Sequence, residues 1–379
     1  MIGGYNMKVV VAMDSLKGSL TSMEAGISVK AGILAAKPDA KVVVKPLADG
    51  GEGTTDALIE GLNGERIDVT VTGPLGNPVS CHYGYLKETN TAIIEMASAA
   101  GITLTDKKDP LHATTYGVGE MINDAITRGC RNFIIGIGGS ATNDGGIGML
   151  KALGFVFLDE KGNDVGEGGQ ALGKVHTINI QNKNPHLTDC HFQVACDVTN
   201  PLCGNNGATY IYGPQKGVTD NIKEELDQAM AHYAAVTRVA LGCDYEKAEG
   251  AGAAGGLGFA LLSYLHAKLT PGIDLILNAV ELEKELKDAD IVVTGEGRLD
   301  HQTAMGKAPV GVAKLAKKYD AKVIAFAGSV TPEATACNET GIDAFFPIVR
   351  GITTLKEAMD PDCAKANMQA AVEQVFRLL

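Results

Sequence analysis

Four glycine-rich stretches combine carboxylate, hydroxyl and ammonium side chains in patterns suited to an anionic ligand. They are Asp14-Ser15-Leu16-Lys17-Gly18-Ser19, Ala48-Asp49-Gly50-Gly51-Glu52-Gly53, Gly138-Gly139-Ser140-Ala141-Thr142-Asn143-Asp144-Gly145-Gly146 and Thr294-Gly295-Glu296-Gly297-Arg298-Leu299-Asp300. Glycine lets backbone N–H groups come close to an anion, and a following helix N-terminus adds its dipole. Asp14, Asp49, Asp144, Asp197 and Asp300 each follow or close a stretch of strand character. One or two such carboxylates, completed by phosphate oxygens, make a Mg²⁺ site. Each aspartate alone reads equally well as a helix cap or turn former. Asp49 and Glu52 are different, because two acids among glycines gain little as caps. Lys17 and Lys307 stand at loop-to-helix junctions, where the dipole repels a cation unless an anion is bound; a solvated lysine is the alternative.

Two familiar fingerprints fit these loops poorly. Gly306-Lys307 is followed by Ala308 and has His301 where the first P-loop glycine belongs, so that motif fails. Gly136, Gly138 and Ala141 match G-x-G-x-x-[GA], with Asp159 where a ribose-binding acid would stand. The helix between, Gly145 to Leu153, is short, and Asp144 puts negative charge where a pyrophosphate would dock. An NAD-dependent oxidoreductase is therefore an alternative of lower rank. There is no G-x-S-x-G, and no histidine pairs with a cysteine or carboxylate at zinc spacing. Met149, Leu150, Leu153, Tyr210, Tyr212 and Phe259 read as core.

These loops need strands and helices to hold them. Lys8–Met13 and Lys41–Leu47 are β-branched runs, each leading into a glycine loop and then a helix. Thr21 and Glu24 form a capping box, with Met23, Ile27, Ala31 and Leu34 at helical spacing. Ile67–Thr72, Val79–Leu86 and Ala92–Met96 follow as strands joined by turns. A helix around Val118–Ile126 ends at Gly129, and Phe133–Ile137 and Phe192–Ala195 are further strands. Helical patterns cover Asp220–Leu241 and Ala253–Lys268. Strands return at Ile291–Thr294, Val323–Ala327 and Ala344–Ile348, the first two ending at glycine loops. The economical fold is α/β, with a parallel domain built from both chain ends (7–66 and 286–379) around an inserted mixed α/β domain (67–285).

Composition narrows the function. Of 379 residues 47 are glycine and only 13 proline, without a G-X-Y period, which excludes collagen-like and low-complexity chains. The net charge of −12 and the lack of Lys/Arg runs argue against nucleic acid or an anionic membrane as partner. Leu257–Leu265, the longest apolar run, is interrupted by Gly258 and Ser263 and is too short to span a bilayer. Eight dispersed cysteines suggest reduced thiols and a cytoplasmic location. Met1–Asn6 reads as an upstream start before Met7 and is set aside.

Nine ordered motifs give these loops a familiar look: Asp14–Leu20, Ala48–Thr54, Thr114–Glu120, Ile137–Gly146, Cys196–Thr209, Gly213–Gly217, Gly252–Gly258, Pro271–Asp274 and Thr294–Pro309. Taken together they resemble the bacterial glycerate kinase family of the non-P-loop type, over almost the whole chain. His301 departs from the expected small polar residue but leaves Asp300, Gln302 and Thr303 in place. The resemblance implies ATP-dependent phosphorylation of D-glycerate with Mg²⁺, the 2-hydroxyl being favoured. It also implies one flavodoxin-like domain formed from both termini and one inserted domain, with the active site in the cleft between them. Asp49, Asp144 and Asp197 are the expected metal ligands, and Asp197 is the first choice of base. Lys17, Lys307 and Asp300 complete the expected catalytic set. Ser15, Gly50, Gly51, Glu52, Gly138, Gly139, Ser140, Thr142, Asn143, Gln215, Lys216, Glu296, Gln302 and Thr303 are expected at substrate or phosphate. Arg298, with its planar fork, suits the glycerate carboxylate. A kinase for a related hydroxy acid and a nucleotide-sensing regulator are the alternatives; a homo-oligomer is possible.

Overall fold

A β-branched run with no polar interruption can sit only where both faces are covered, and Lys8–Met13 is buried at every position. The computed structural model describes residues 7–51 and 53–379, so Met1–Asn6 and Glu52 lie outside the described residues. The chain opens with β1 (Lys8–Met13) and β2 (Lys41–Pro46). Then come β3 (Glu65–Thr72), β4 (Pro78–Leu86), β5 (Thr91–Glu95), β6 (Asn132–Gly136), β7 (Val156–Leu158), β8 (Thr177–Asn179), β9 (His191–Ala195) and β10 (Lys268–Thr270). It closes with β11 (Ile291–Leu299), β12 (Lys322–Val330) and β13 (Ala344–Pro347).

The chain divides into two compact units. The first takes the chain up to Asp49, Asp56–Asn63 and Ile273–Leu379; the second takes Gly50–Thr55 and Gly64–Gly272. The first holds a five-stranded sheet of order β13-β12-β11-β1-β2, parallel throughout. Its core joins Val9, Val11 and Met13 to Val29, Ile33, Phe326, Met368, Val372 and Phe376. The helix Ser22–Ala36 starts at the expected capping box: Thr21 Oγ1 accepts from Glu24 N (3.1 Å), and Glu24 Oε2 accepts from Thr21 N (3.0 Å). It packs on the helix Pro361–Phe376, where a Cβ on Gly32 would stand 2.4 Å from the Gln369 carbonyl oxygen.

The second unit is built on a mixed six-stranded sheet, β10-β9-β6-β5-β4-β3. The β3–β4 and β4–β5 pairs are antiparallel and the rest parallel. β7 and β8 form a separate two-stranded antiparallel sheet. Phe133 stacks on Phe192 at 4.7 Å between ring centroids, in the core that also holds Tyr83, Phe157, Tyr233 and Phe259.

Several expectations need correction. β11 and β12 do not stop at their glycines: the parallel ladder runs on to Leu299↔Val330, so Gly295-Glu296-Gly297 and Gly328-Ser329 belong to strands. Glycine allows this because the backbones press together; a Cβ on Gly295 would lie 1.8 Å from the Phe326 carbonyl oxygen. The pattern at Ala253–Lys268 divides. Ala254, Gly255 and Gly256 have positive φ, the regular helix runs to Leu265, and β10 follows as a parallel partner of β9. Tyr210 and Tyr212 are half-buried rather than core, whereas Phe259 is fully enclosed. All eight cysteines are free thiols, and among the described residues no helix is long and apolar enough to cross a membrane.

Candidate functional site

Within the first unit, the carboxyl ends of β1, β2, β11 and β12 surround a cavity of about 530 Å³. Asp14 enters it directly from β1: its N–H donates to the Gly295 carbonyl (2.8 Å), and its Oδ1 accepts from Ser15 N (2.7 Å). Asp49, from the β2 loop, and Glu296, from within β11, line the same space. Burial, followed by repulsion from Asp49, raises the Asp14 carboxyl from its usual 3.8 to about 7. Glu296 is also pushed up by burial, while the Thr303 hydroxyl, donating to its Oε1 at 2.6 Å, and the charge of Lys307 oppose the rise. Three buried or half-buried acids thus line one cavity, an arrangement that a retained proton or a nearby cation makes tolerable.

The cations are at hand. Lys17 and Arg298 line the cavity as exposed residues, and Lys307 joins them as the N-cap of the helix Ala308–Lys317. Lys17 does not stand at a helix start as expected. It tops the tight loop closed by the Leu16–Leu20 bridge, ahead of the N-cap Thr21. Asp300 uses Oδ1 to accept from Gln302 N (2.9 Å) and Thr303 N (3.2 Å), capping the short helix His301–Ala304, and its Oδ2 lies 4.0 Å from Arg298 Nε. Its cap role coexists with its place on the cavity wall. Thr303 is fully buried beneath Glu296, and Gln302 is exposed and not part of the lining.

The second unit holds the other group of expected residues around the loop that follows β6. Asp144 is wholly buried and accepts from Thr115 N (2.8 Å), Thr115 Oγ1 (2.8 Å), Gly146 N (3.1 Å) and Gly148 N (3.2 Å). It therefore occupies the helix start itself, where a bound anion was expected to sit, and its oxygens are satisfied by the protein rather than offered to a metal. The N–H groups of Ala141 and Gly145 are likewise engaged, by Ala100 and Gly255 carbonyls. Gly138 and Gly139 remain the exposed part of the loop. Lys216 is 2% exposed and donates to Ser140 Oγ (2.6 Å) and the Thr142 carbonyl (2.7 Å). Burial depresses its ammonium to about 7, against the pull of Asp144. Asn143 donates to Thr209 Oγ1 (3.1 Å), while its Oδ1 and Thr142 Oγ1 are buried without a partner. Gln215 is exposed. Asp197 is exposed after β9, its Oδ1 accepting from Gly272 N (2.8 Å). Gly50, at φ +86°, passes so close to Gly272 that a Cβ would lie 2.9 Å from its Cα, and Gly51 is half-buried beside it.

The first unit thus gathers Ser15, Lys17, Asp49, Glu296, Arg298, Asp300 and Lys307 on one cavity. Asp14 was visible in sequence only as one of five similar aspartates. What distinguishes it, burial next to two further acids, arises from the pairing of β1 with both β2 and β11. No glycine-loop motif marks the apolar wall formed by Ile348, Val349, Leu355, Ala358 and Met359. Its signal, the exposed Thr354–Met359 turn of helix with its own capping box, is visible in sequence only with hindsight.

Comparison with known proteins gives a consistent picture. The model of the Glycerate kinase family matches residues 9–379. A Bacillus subtilis (strain 168) protein named glycerate kinase is 48% identical over 356 residues, covering 93% of either chain. An Escherichia coli (strain K12) protein named glycerate 2-kinase is 48% identical over 354 residues, again with 93% of each covered. A crystal structure described as a glycerate kinase 2 from Salmonella typhimurium LT2 superposes with a TM-score of 0.91 at 44% identity, covering 99% of this chain and 98% of that one.

Proposed function

Because the chain belongs to the glycerate kinase family, we propose that it transfers the γ-phosphoryl group of ATP to the 2-hydroxyl of D-glycerate. The observation that carries this reading is the meeting of Asp14, Asp49 and Glu296 with Lys17, Arg298 and Lys307 on one cavity of the first unit. Phosphoryl transfer asks little covalent chemistry of a protein and a great deal of positioning and charge stabilisation. The preference for the 2-hydroxyl rests on the relative named glycerate 2-kinase.

Mg²⁺ fits the donor set. Among the described residues no cluster of three or more metal-binding side chains exists, and Mg²⁺ in kinases needs only one or two carboxylates, phosphates and water supplying the rest. Asp49 and Glu296 are the carboxylates that would hold it, and the ion would neutralise charge on the phosphate oxygens. Asp144, saturated by Thr115 and by the N–H groups of Gly146 and Gly148, is left out of that role.

Asp14 is the base in this reading. In the metal-free chain burial, then the charge of Asp49, raises this carboxyl to about 7, and burial keeps it a better proton acceptor than Asp197, which is exposed and engaged by Gly272. Lys17 and Lys307 neutralise phosphate oxygens, and Arg298 pairs with the glycerate carboxylate through its fork. Thr303 orients Glu296 by its 2.6 Å hydrogen bond.

ADP release measured by a coupled assay across D-glycerate, lactate, glycolate and tartronate tests the substrate, and NMR of the product tests the position. Glycerate is expected to be preferred, giving the 2-phosphate. No ADP with any acid, together with nicotinamide binding, would overturn the kinase reading. Asp14→Asn is expected to lower kcat at least 100-fold; a fall of that size in Asp197→Asn alone would return the base to Asp197.

A further inference from the structure

A cavity of about 530 Å³ is far larger than a three-carbon acid requires and lies in the range that encloses nucleotide-sized ligands. Its lining is also divided in chemistry. Asp14, Asp49, Glu296 and Lys307 stand among its polar side chains, while Leu16, Ile348, Val349, Leu355, Ala358 and Met359 are apolar. Most of that apolar set comes from the segment after β13, through the short helix Leu355–Met359.

That helix is unusual in what it leaves uncovered. Leu355 is 76% exposed and Met359 37% exposed, although both line the cavity. At i and i+4 they share one face. The helix is nonetheless well specified: Thr354 Oγ1 accepts from Glu357 N (3.3 Å), and Glu357 Oε2 accepts from Thr354 N (3.2 Å). Met359 reaches across to the Lys17 loop, where a Cβ on Gly18 would stand 2.8 Å from its terminal methyl. A side chain at position 18, already at φ +75°, would push into that face. Exposed leucine and methionine side chains held on a cavity wall have no core role to explain them, and methionine makes favourable contacts with aromatic rings.

We propose that Leu355 and Met359, backed by Ile348, form the seat of the purine base of the nucleotide co-substrate. This rests on the kinase reading above and extends it to an element that the glycine-loop motifs do not include. The base lies on the helix Leu355–Met359, and the triphosphate runs from it toward Lys17 and Lys307. Gly18 lets the Met359 methyl settle against the Lys17 loop, which gives the glycine after Lys17 a steric reason as well as a conformational one.

The test separates nucleotide binding from turnover. Fluorescence titration of the full-length protein with a methylanthraniloyl-labelled ADP is carried out on wild type, Leu355→Ala, the double variant Leu355→Ala/Met359→Ala, and Val239→Ala. Val239 is an 85% exposed residue of the second unit and serves as control. The double variant is expected to bind at least 10-fold more weakly, with KM for ATP raised in proportion and KM for glycerate changed less than 2-fold. Val239→Ala is expected to match wild type. Leu355→Met, which keeps the apolar contact, is expected to restore most of the affinity. Unchanged nucleotide affinity in a double variant of wild-type melting temperature would overturn the proposal, as would equal losses for both substrates. Failure of the kinase reading looks different: wild type would release no ADP with any hydroxy acid, whatever the wall variants do to nucleotide binding.

Discussion

Replacing Asp14 by asparagine should stabilise the protein while disabling it, and the stabilisation should grow with pH. The carboxyl titrates at about 7 in the folded chain against an ordinary 3.8, burial being the larger cause and Asp49 the next. Between those values the native state holds a proton that the unfolded chain has lost, so wild-type stability falls as pH rises through the window. With 1.36 kcal/mol for each decade of proton affinity, the burden is about 1.6 kcal/mol at pH 5 and about 4 kcal/mol at pH 8. Asparagine cannot ionise, and its side-chain oxygen can still accept from Ser15 N. The advantage of the variant should therefore widen by as much as about 2.5 kcal/mol from pH 5 to pH 8. Solvent reaching the cavity reduces this, and at least 1 kcal/mol, or roughly 2–4 °C in melting temperature, should survive. The assay is thermal unfolding of metal-free protein at pH 5, 6, 7 and 8, with wild type and variant side by side. A difference in melting temperature that stays constant across the series would refute the reasoning, since it would mean that Asp14 does not titrate in that window.

Gly295→Ala should prevent normal folding of the first unit or lower its melting temperature by more than 10 °C, because its Cβ would lie 1.8 Å from the Phe326 carbonyl oxygen across a ladder with no room to open; thermal scanning of the purified variant checks this. Lys216→Met should cost about 1–3 kcal/mol, since Ser140 and Thr142 lose their donor. It should also abolish a rise in wild-type stability between pH 7 and pH 10, the interval in which the unfolded lysine binds a proton that the folded one, at about 7, does not; urea unfolding at several pH values reads both effects. Arg298→Lys should raise KM for glycerate about 10-fold and leave KM for ATP little changed, because a single ammonium cannot reproduce a two-point contact with a carboxylate; steady-state kinetics with each substrate varied in turn decides it.

The sequence by itself determined the alternation of elements. The all-buried Lys8–Met13 run, the Thr21/Glu24 capping box and the helix Asp220–Leu241 depend on local patterns that tertiary contacts only reinforce. It also marked where chemistry could lie, since glycines interleaved with Asp, Lys and Ser recur at several strand ends, although each such residue alone can equally serve a turn or a cap. What only the tertiary structure decided was which of several equivalent acids does what. Asp14, Asp144 and Asp197 look alike in their loops, but β1 inserts the first beside Asp49 and Glu296, four donors bury the second, and the third stays in solvent. β11 shows the same limit: glycines at 295, 297 and 328 read as a loop because glycine usually interrupts a strand, yet here they let two parallel strands run together as far as Leu299 and Val330. Burial and the charges of sequence-distant neighbours set the chemistry of a carboxylate, and neither is a property of its own segment of chain.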